Sequence, residues 1–209
     1  MIETLKRAKE VTGGLSEPSK MPCYGYSTPA KDCITGSKLR DVAGSVCEGC
    51  YAMKGNYLFN NVMDSLAKRL RLIQSELWIE GMVFLITHYC RDTKIFRWHD
   101  SGDLQSVDHL ERICEVCFQT PTVKHWLPTR ELSIVKQFIA NGGIIPDNLV
   151  IRVSATMIDG QPTKAWKYTS TVTRDKDLAN CKAYENDNKC GDCRKCWDKR
   201  FYNIAYPKH

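Results

Sequence analysis

The 209-residue chain has no apolar run long enough to cross a membrane. The nearest stretch, LWIEGMVFLITHYC, is interrupted by Glu80 and falls short of the ~20 residues a spanning helix needs. The opening MIETLKRAKEVTGG is charged and lacks an apolar h-region, so no secretory leader is expected. Internal repeats and low-complexity tracts are missing as well. Nor is there an excess of acid: the net charge is +6 and the pI about 8.7. That is too mild for a dedicated nucleic-acid binder, although such a field favours acidic partners. These absences predict a single cytoplasmic domain over residues 1–209, with no membrane association.

Cysteine, by contrast, is plentiful. There are eleven, an odd number that full pairing cannot use up. A chain that is 43% hydrophobic can bury a core without disulfide staples. Thiols stay reduced in the cytosol, so they point to metal before disulfides.

Three textures divide the chain. Residues 1–57 are rich in Gly, Pro, Ser, Thr and Cys, and read as irregular structure. Residues 58–160 are regular. Val62, Leu66, Leu70, Ile73 and Leu77 recur at helical spacing, predicting a helix over about 60–78 and a second, apolar one to about 90. KIFRWH (94–99), TVKHWL (122–127) and NLVIRVSA (148–155) read as strands. Between them lie SVDHLERICEVCFQ, which Ser106 or Asp108 can cap, and RELSIVKQFIANGG, ended by Gly142 and Gly143. Residues 161–209 lose the pattern again. The expectation is an α/β fold: a small parallel βαβ sheet, open or a partial barrel, between irregular cysteine-rich ends that fold over one edge of it.

The strongest chemical signal is CKAYENDNKCGDCRKCWDK. Cys190, Cys193 and Cys196 repeat at a spacing of three, with Cys181 upstream. A tight loop of this kind places thiolates at successive corners of a cubane cluster, as in bacterial ferredoxins, although Trp197 follows where those have Cys-Pro. A 4Fe–4S cluster on Cys181, Cys190, Cys193 and Cys196 is therefore expected, with zinc as the alternative. Cys23, Cys33, Cys47 and Cys50 form a looser second set, whose gaps are not diagnostic. They are expected either to hold a second metal or to join the first cluster. Cys114 and Cys117 lie on an apolar helical side and read as core, as does Cys90.

Ligands of α/β sheets bind beyond the carboxyl ends of the strands. There the sequence places His99, Asp100, Ser101 and Asp103 after the first predicted strand. Thr129, Arg130 and Glu131 follow the second, and Ser154 and Thr156 end the third. His99 or Asp100 could move protons and Arg130 could hold an anionic group in such a cleft. Asp100, Asp103 and Glu131 could equally be helix caps.

PAKDC, CYA, HDSGD, PTRE, VSAT, CGDCRKCWDK and the terminal YPKH together resemble the phage gene-product-88-like family, from about residue 20 onward. The resemblance implies an α/β, radical-SAM-like protein of the phage-infected cell. It implies iron–sulfur cysteines at Cys23, Cys33, Cys50, Cys181, Cys190, Cys193 and Cys196, with Cys47 as an extra. The motif C-x3-C-x2-C, which S-adenosylmethionine chemistry would require, is absent. The leading expectation is an iron–sulfur protein with an electron-transfer or redox role at the strand-end cleft, served by a redox partner or small-molecule ligand. The rivals are a divergent radical-SAM-like enzyme and a zinc-stabilised nucleic-acid module. The second of these draws on Arg194, Lys195 and the aromatics Trp197 and Tyr202.

Overall fold

The computed structural model describes residues 1–208. Helices α1 (Leu5–Thr12), α2 (Ile34–Leu39), α3 (Asn60–Leu72), α4 (Trp78–Tyr89), α5 (Val107–Gln119) and α6 (Leu132–Ala140) accompany six strands. These are β1 (Gly25–Tyr26), β2 (Ile95–Trp98), β3 (Lys124–Thr129), β4 (Leu149–Ile158), β5 (Thr169–Thr173) and β6 (Asn203–Pro207). The strands form one sheet in sequential order, every neighbouring pair parallel, with β1 and β6 at its two edges. The fold is thus α/β, with an open sheet.

Local chemistry explains the central elements. Ser106 Oγ accepts the His109 amide at 3.0 Å and starts α5. Leu110, Ile113, Cys114 and Cys117 of that helix are buried in the main core, as their helical spacing predicts. Gly142, at φ 87°, supplies the left-handed residue that closes the turn after α6.

Period-2 alternation sorts the strands onto two faces. Phe96 and Trp98 of β2, Leu127 of β3, and Leu149 and Ile151 of β4 point into the core beneath the helices. Ile95, Trp126 and Ile204 point the other way, into a second cluster with Cys23, Cys196 and Trp197. The sheet therefore has helices on one face and the cysteine-rich carboxyl-terminal segment on the other.

Three expectations change. The predicted 60–78 helix stops at Leu72; a tight turn, with Trp78 N–H donating to Ser75 at 3.0 Å, begins α4. The sheet has six strands rather than three, because β1, β5 and β6 lie in the supposedly irregular ends. β1 has two residues, too few to show a period, and β5 is the Ser/Thr-rich TSTVT, without apolar alternation. The two ends do not share one sheet edge. The amino-terminal segment supplies edge strand β1, and the carboxyl-terminal segment supplies β5's neighbour β6 at the opposite edge.

Candidate metal and strand-end sites

The eleven free cysteines separate into a core set and two groups near the sheet. Cys90, Cys114 and Cys117 are buried in the main core. The first group is Cys181, Cys190, Cys193 and Cys196, joined by Cys23. Cys23, Cys181 and Cys196 belong to one packed cluster with Met21, Trp126 and Trp197. Cys190 Sγ lies 3.9 Å from Met21 Sδ, and burial raises its thiol, with neighbouring Cys181 adding to the rise and Arg97 opposing it. Burial pushes the Cys23 and Cys196 thiols up to about 12.

What positions this group is a cation that reads as an ordinary strand residue. Arg152, in the middle of β4, is fully buried, and its hydrogen bonds go to backbone carbonyls. Its guanidinium donates to the carbonyls of Lys195 (3.0 Å), Cys196 (2.9 Å), Asp198 (3.0 Å) and Phe201 (2.9 Å). One planar fork thus ties down the turn that carries Cys196. Trp197 Nε1 donates to the Phe96 carbonyl at 2.8 Å, and Tyr206 OH sits 3.2 Å from Cys196 Sγ. A second cation, Arg97, stacks over Trp126 at 4.5 Å and donates to Met21 Sδ at 3.4 Å. It pairs with Asp100 at 2.8 Å.

The second group is Cys33, Cys47 and Cys50, beyond the carboxyl ends of the strands. The expected amino-terminal quartet is therefore divided: Cys23 packs with the carboxyl-terminal thiols and the other three stay together. Cys47, set aside by the family resemblance, belongs with Cys33 and Cys50. Burial pushes Cys33 up to about 12, with Asp103, Cys50 and Cys47 adding to the rise and Arg130 opposing it. Burial also raises Cys47, and Arg130 again opposes.

Around these thiols stand several of the residues singled out at the strand ends. Asp103 accepts from Thr129 Oγ1 (2.5 Å), Arg130 N (2.9 Å) and Leu104 N (2.8 Å). Burial lifts its carboxyl to about 6 even so. Glu131 is buried and holds both Thr35 N (2.7 Å) and Thr35 Oγ1 (2.8 Å). Asp100 takes Arg97 and Tyr57 OH, the latter at 2.6 Å. Three other candidates turn elsewhere. The His99 ring packs on His109 of α5, 5.3 Å between centroids. Ser101 Oγ donates to the Thr28 carbonyl, and Ser154 pairs with Ser170 of β5. Thr156 contributes its carbonyl, which accepts Val46 N at 2.9 Å.

The β2–α5 turn depends on Gly102. At φ 81°, an added Cβ would stand 1.9 Å from Thr28 Oγ1 and 2.7 Å from the Thr28 carbonyl oxygen. Gly102→Ala should lower the unfolding free energy by about 3 kcal/mol. An unchanged urea midpoint in that variant would show that the turn yields.

Trp197 is buried rather than exposed, because its indole fills the second cluster. Of the aromatics expected on a nucleic-acid face, only Tyr202 is exposed, stacked on Tyr168 at 6.3 Å. Among the described residues no three His, Cys, Asp or Glu side chains converge on one metal-ion position. Cys181, Cys190, Cys193 and Cys196 are nonetheless near enough for their thiols to influence one another, and in a polynuclear cluster each iron would take its own thiolate. A zinc ion would draw every sulfur to about 2.3 Å of a single point.

An open six-stranded parallel α/β sheet with thiol groups on one face and beyond its strand ends defines a cysteine-rich α/β protein. More particularly, the chain belongs to the gene product 88 family of phage proteins, whose pattern matches residues 2–199. No curated protein and no solved structure matches it. Among the described residues no helix is long and apolar enough to cross a membrane.

Proposed function

We propose that this chain is an iron–sulfur protein whose cluster is held by Cys181, Cys190, Cys193 and Cys196, with an electron-transfer or redox role. The observation that carries this reading is the gathering of those thiols on the face of the sheet opposite the α-helices, against the buried cation Arg152 and beside Arg97. Four thiolates bring negative charge into a poorly solvated place, and two guanidiniums offset it. When bound, such a cluster accepts and releases single electrons at a potential set by charge, hydrogen bonds and exposure. The chain's own contribution is to bury the site with Trp126 and Trp197, and to tie the ligand loop through Arg152. Tyr206 OH is placed to hydrogen-bond the Cys196 sulfur. Arg97 extends from this group to Asp100, which supports a small ligand or redox partner meeting the protein near the strand ends.

Oxygen-protected preparation followed by iron and acid-labile sulfide analysis tests the reading. Brown protein with iron and sulfide in equal amounts is expected. Cys190→Ser and Cys196→Ser should each lose most of the iron assigned to this site. Colourless protein with stoichiometric zinc would replace the reading with a zinc-stabilised module.

A further inference from the structure

We infer that Cys33, Cys47 and Cys50 form a second metal centre, separate from the carboxyl-terminal one, that takes an iron–sulfur cluster at the strand ends. The inference goes beyond the function proposed above and stands on a different part of the molecule.

Three independent tethers bring these thiols together. Cys33 precedes α2, and α2 is pinned at Thr35 to the buried Glu131 carboxylate following β3. Cys47 follows a segment bridged to β4, where Ser45 pairs with Met157 and Val46 N donates to the Thr156 carbonyl. Cys50 is held to Cys47 by a turn, with its amide 3.2 Å from the Cys47 carbonyl. The following Tyr51 reaches the Asp100 carbonyl after β2, and Tyr57 reaches the Asp100 carboxylate. The loop is long and has little regular structure, yet it is fastened at the ends of three adjacent strands. Ordering that much irregular chain costs conformational entropy, which these polar contacts and a bound cluster would offset.

Gly36 lies against both sulfurs. A Cβ there would lie 3.6 Å from both Cys33 Sγ and Cys47 Sγ, and 2.9 Å from Cys33 Cβ. Glycine is a poor choice within a helix, where alanine is favoured by about 1 kcal/mol. Here a side chain would collide with Cys33, so glycine lets α2 pack directly against the two thiols. Both sulfurs thus lie close to one point, and a cluster would give each thiolate its own iron. Electrostatics agree: Arg130 lies close enough to favour the thiolates of Cys33 and Cys47, against the neighbouring Asp103. Nothing ties Cys23 to this set; it packs on the opposite group.

The test separates the two centres. In the C190A/C193A/C196A variant the first site is removed, and iron and sulfide should remain at about half the level of the unaltered protein, with an EPR signal on reduction. In the C33A/C47A/C50A variant the content should again fall by about half. Folded C190A/C193A/C196A protein without iron, or C33A/C47A/C50A protein with its full iron, overturns the inference. Should the first variant fail to fold, Gly36→Ala decides, because it keeps all eleven cysteines and displaces the Cys33 side chain. About half the iron should be lost there, and full retention overturns the proposal. Failure of the carboxyl-terminal site alone would appear differently, as undiminished iron in C190A/C193A/C196A.

Discussion

Replacing Arg152 by methionine should release the carboxyl-terminal cysteine loop while leaving the helical face of the sheet in place. Methionine keeps most of the length and the apolar stem but donates nothing. The carbonyls of Cys196 and Phe201 would lose their donor, while those of Lys195 and Asp198 would keep only the amides of Asp198 (3.1 Å) and Phe201 (3.2 Å). Stranding buried acceptors of this kind costs about 1–3 kcal/mol for each that water cannot reach. Because the loop can partly resolvate, a total of about 3–5 kcal/mol is expected. Protease cleavage between 181 and 201 should accelerate well before the helices yield, and the urea midpoint should fall. The iron of the proposed carboxyl-terminal cluster should fall with them. Lysine should not rescue, since a single ammonium cannot span carbonyls arranged for a planar fork. A methionine variant with unaltered cleavage and midpoint would show that the loop is held by Trp197 and the sheet alone.

The second large effect is acid sensitivity. Burial holds His109 down at about 4 and His125 at about 3, and drives His99 in the same direction. Each is a base whose folded pKa lies below its unfolded value near 6.5, so the unfolded chain binds the proton first. The stability they contribute is complete above pH 6.5 and drains away as pH falls toward 4 and 3. By pH 4.5 the loss from His109 and His125 is about 3 kcal/mol each. Asp103 works in the opposite sense. Its carboxyl, raised to about 6, binds a proton in the folded state first and returns about 2 kcal/mol over the same span. The net result should be a steep fall in the urea midpoint between pH 6.5 and 4.5. Replacing His125 by asparagine should flatten that slope even if it lowers stability at pH 7. The Thr120 Oγ1 contact at 2.9 Å from His125 Nε2 would then pass to the amide. A midpoint independent of pH across this window would mean that the buried imidazoles escape to water before the fold is lost.

Where the sequence was legible, one local signal sufficed. Ser106 announces α5, and the apolar side carrying Cys114 and Cys117 identifies them as core despite their knuckle-like spacing. The Cys190, Cys193 and Cys196 run is visible because its regular spacing falls within seven residues. Arg152 could have been noticed as a lone cation inside NLVIRVSA, but alternation says only which face it takes, not that four carbonyls await it there. His99 shows the converse. It stands at a strand end among chemically capable neighbours, yet its ring turns toward His109 and the helices.

By itself the amino-acid sequence determined the α/β class, the central strands and helices, and the carboxyl-terminal thiol run, because each rests on periodicity or spacing within a short window. Only the tertiary structure decided the company each cysteine keeps. Cys23 packs with the carboxyl-terminal thiols, apart from its sequence neighbours, and Cys47 sits with Cys33 and Cys50, because strand direction and long-range tethers to Asp100, Glu131 and Thr156 set those distances. β5 and β6 likewise exist because the sheet offers them an edge to pair with, a condition that no local stretch of chain can display.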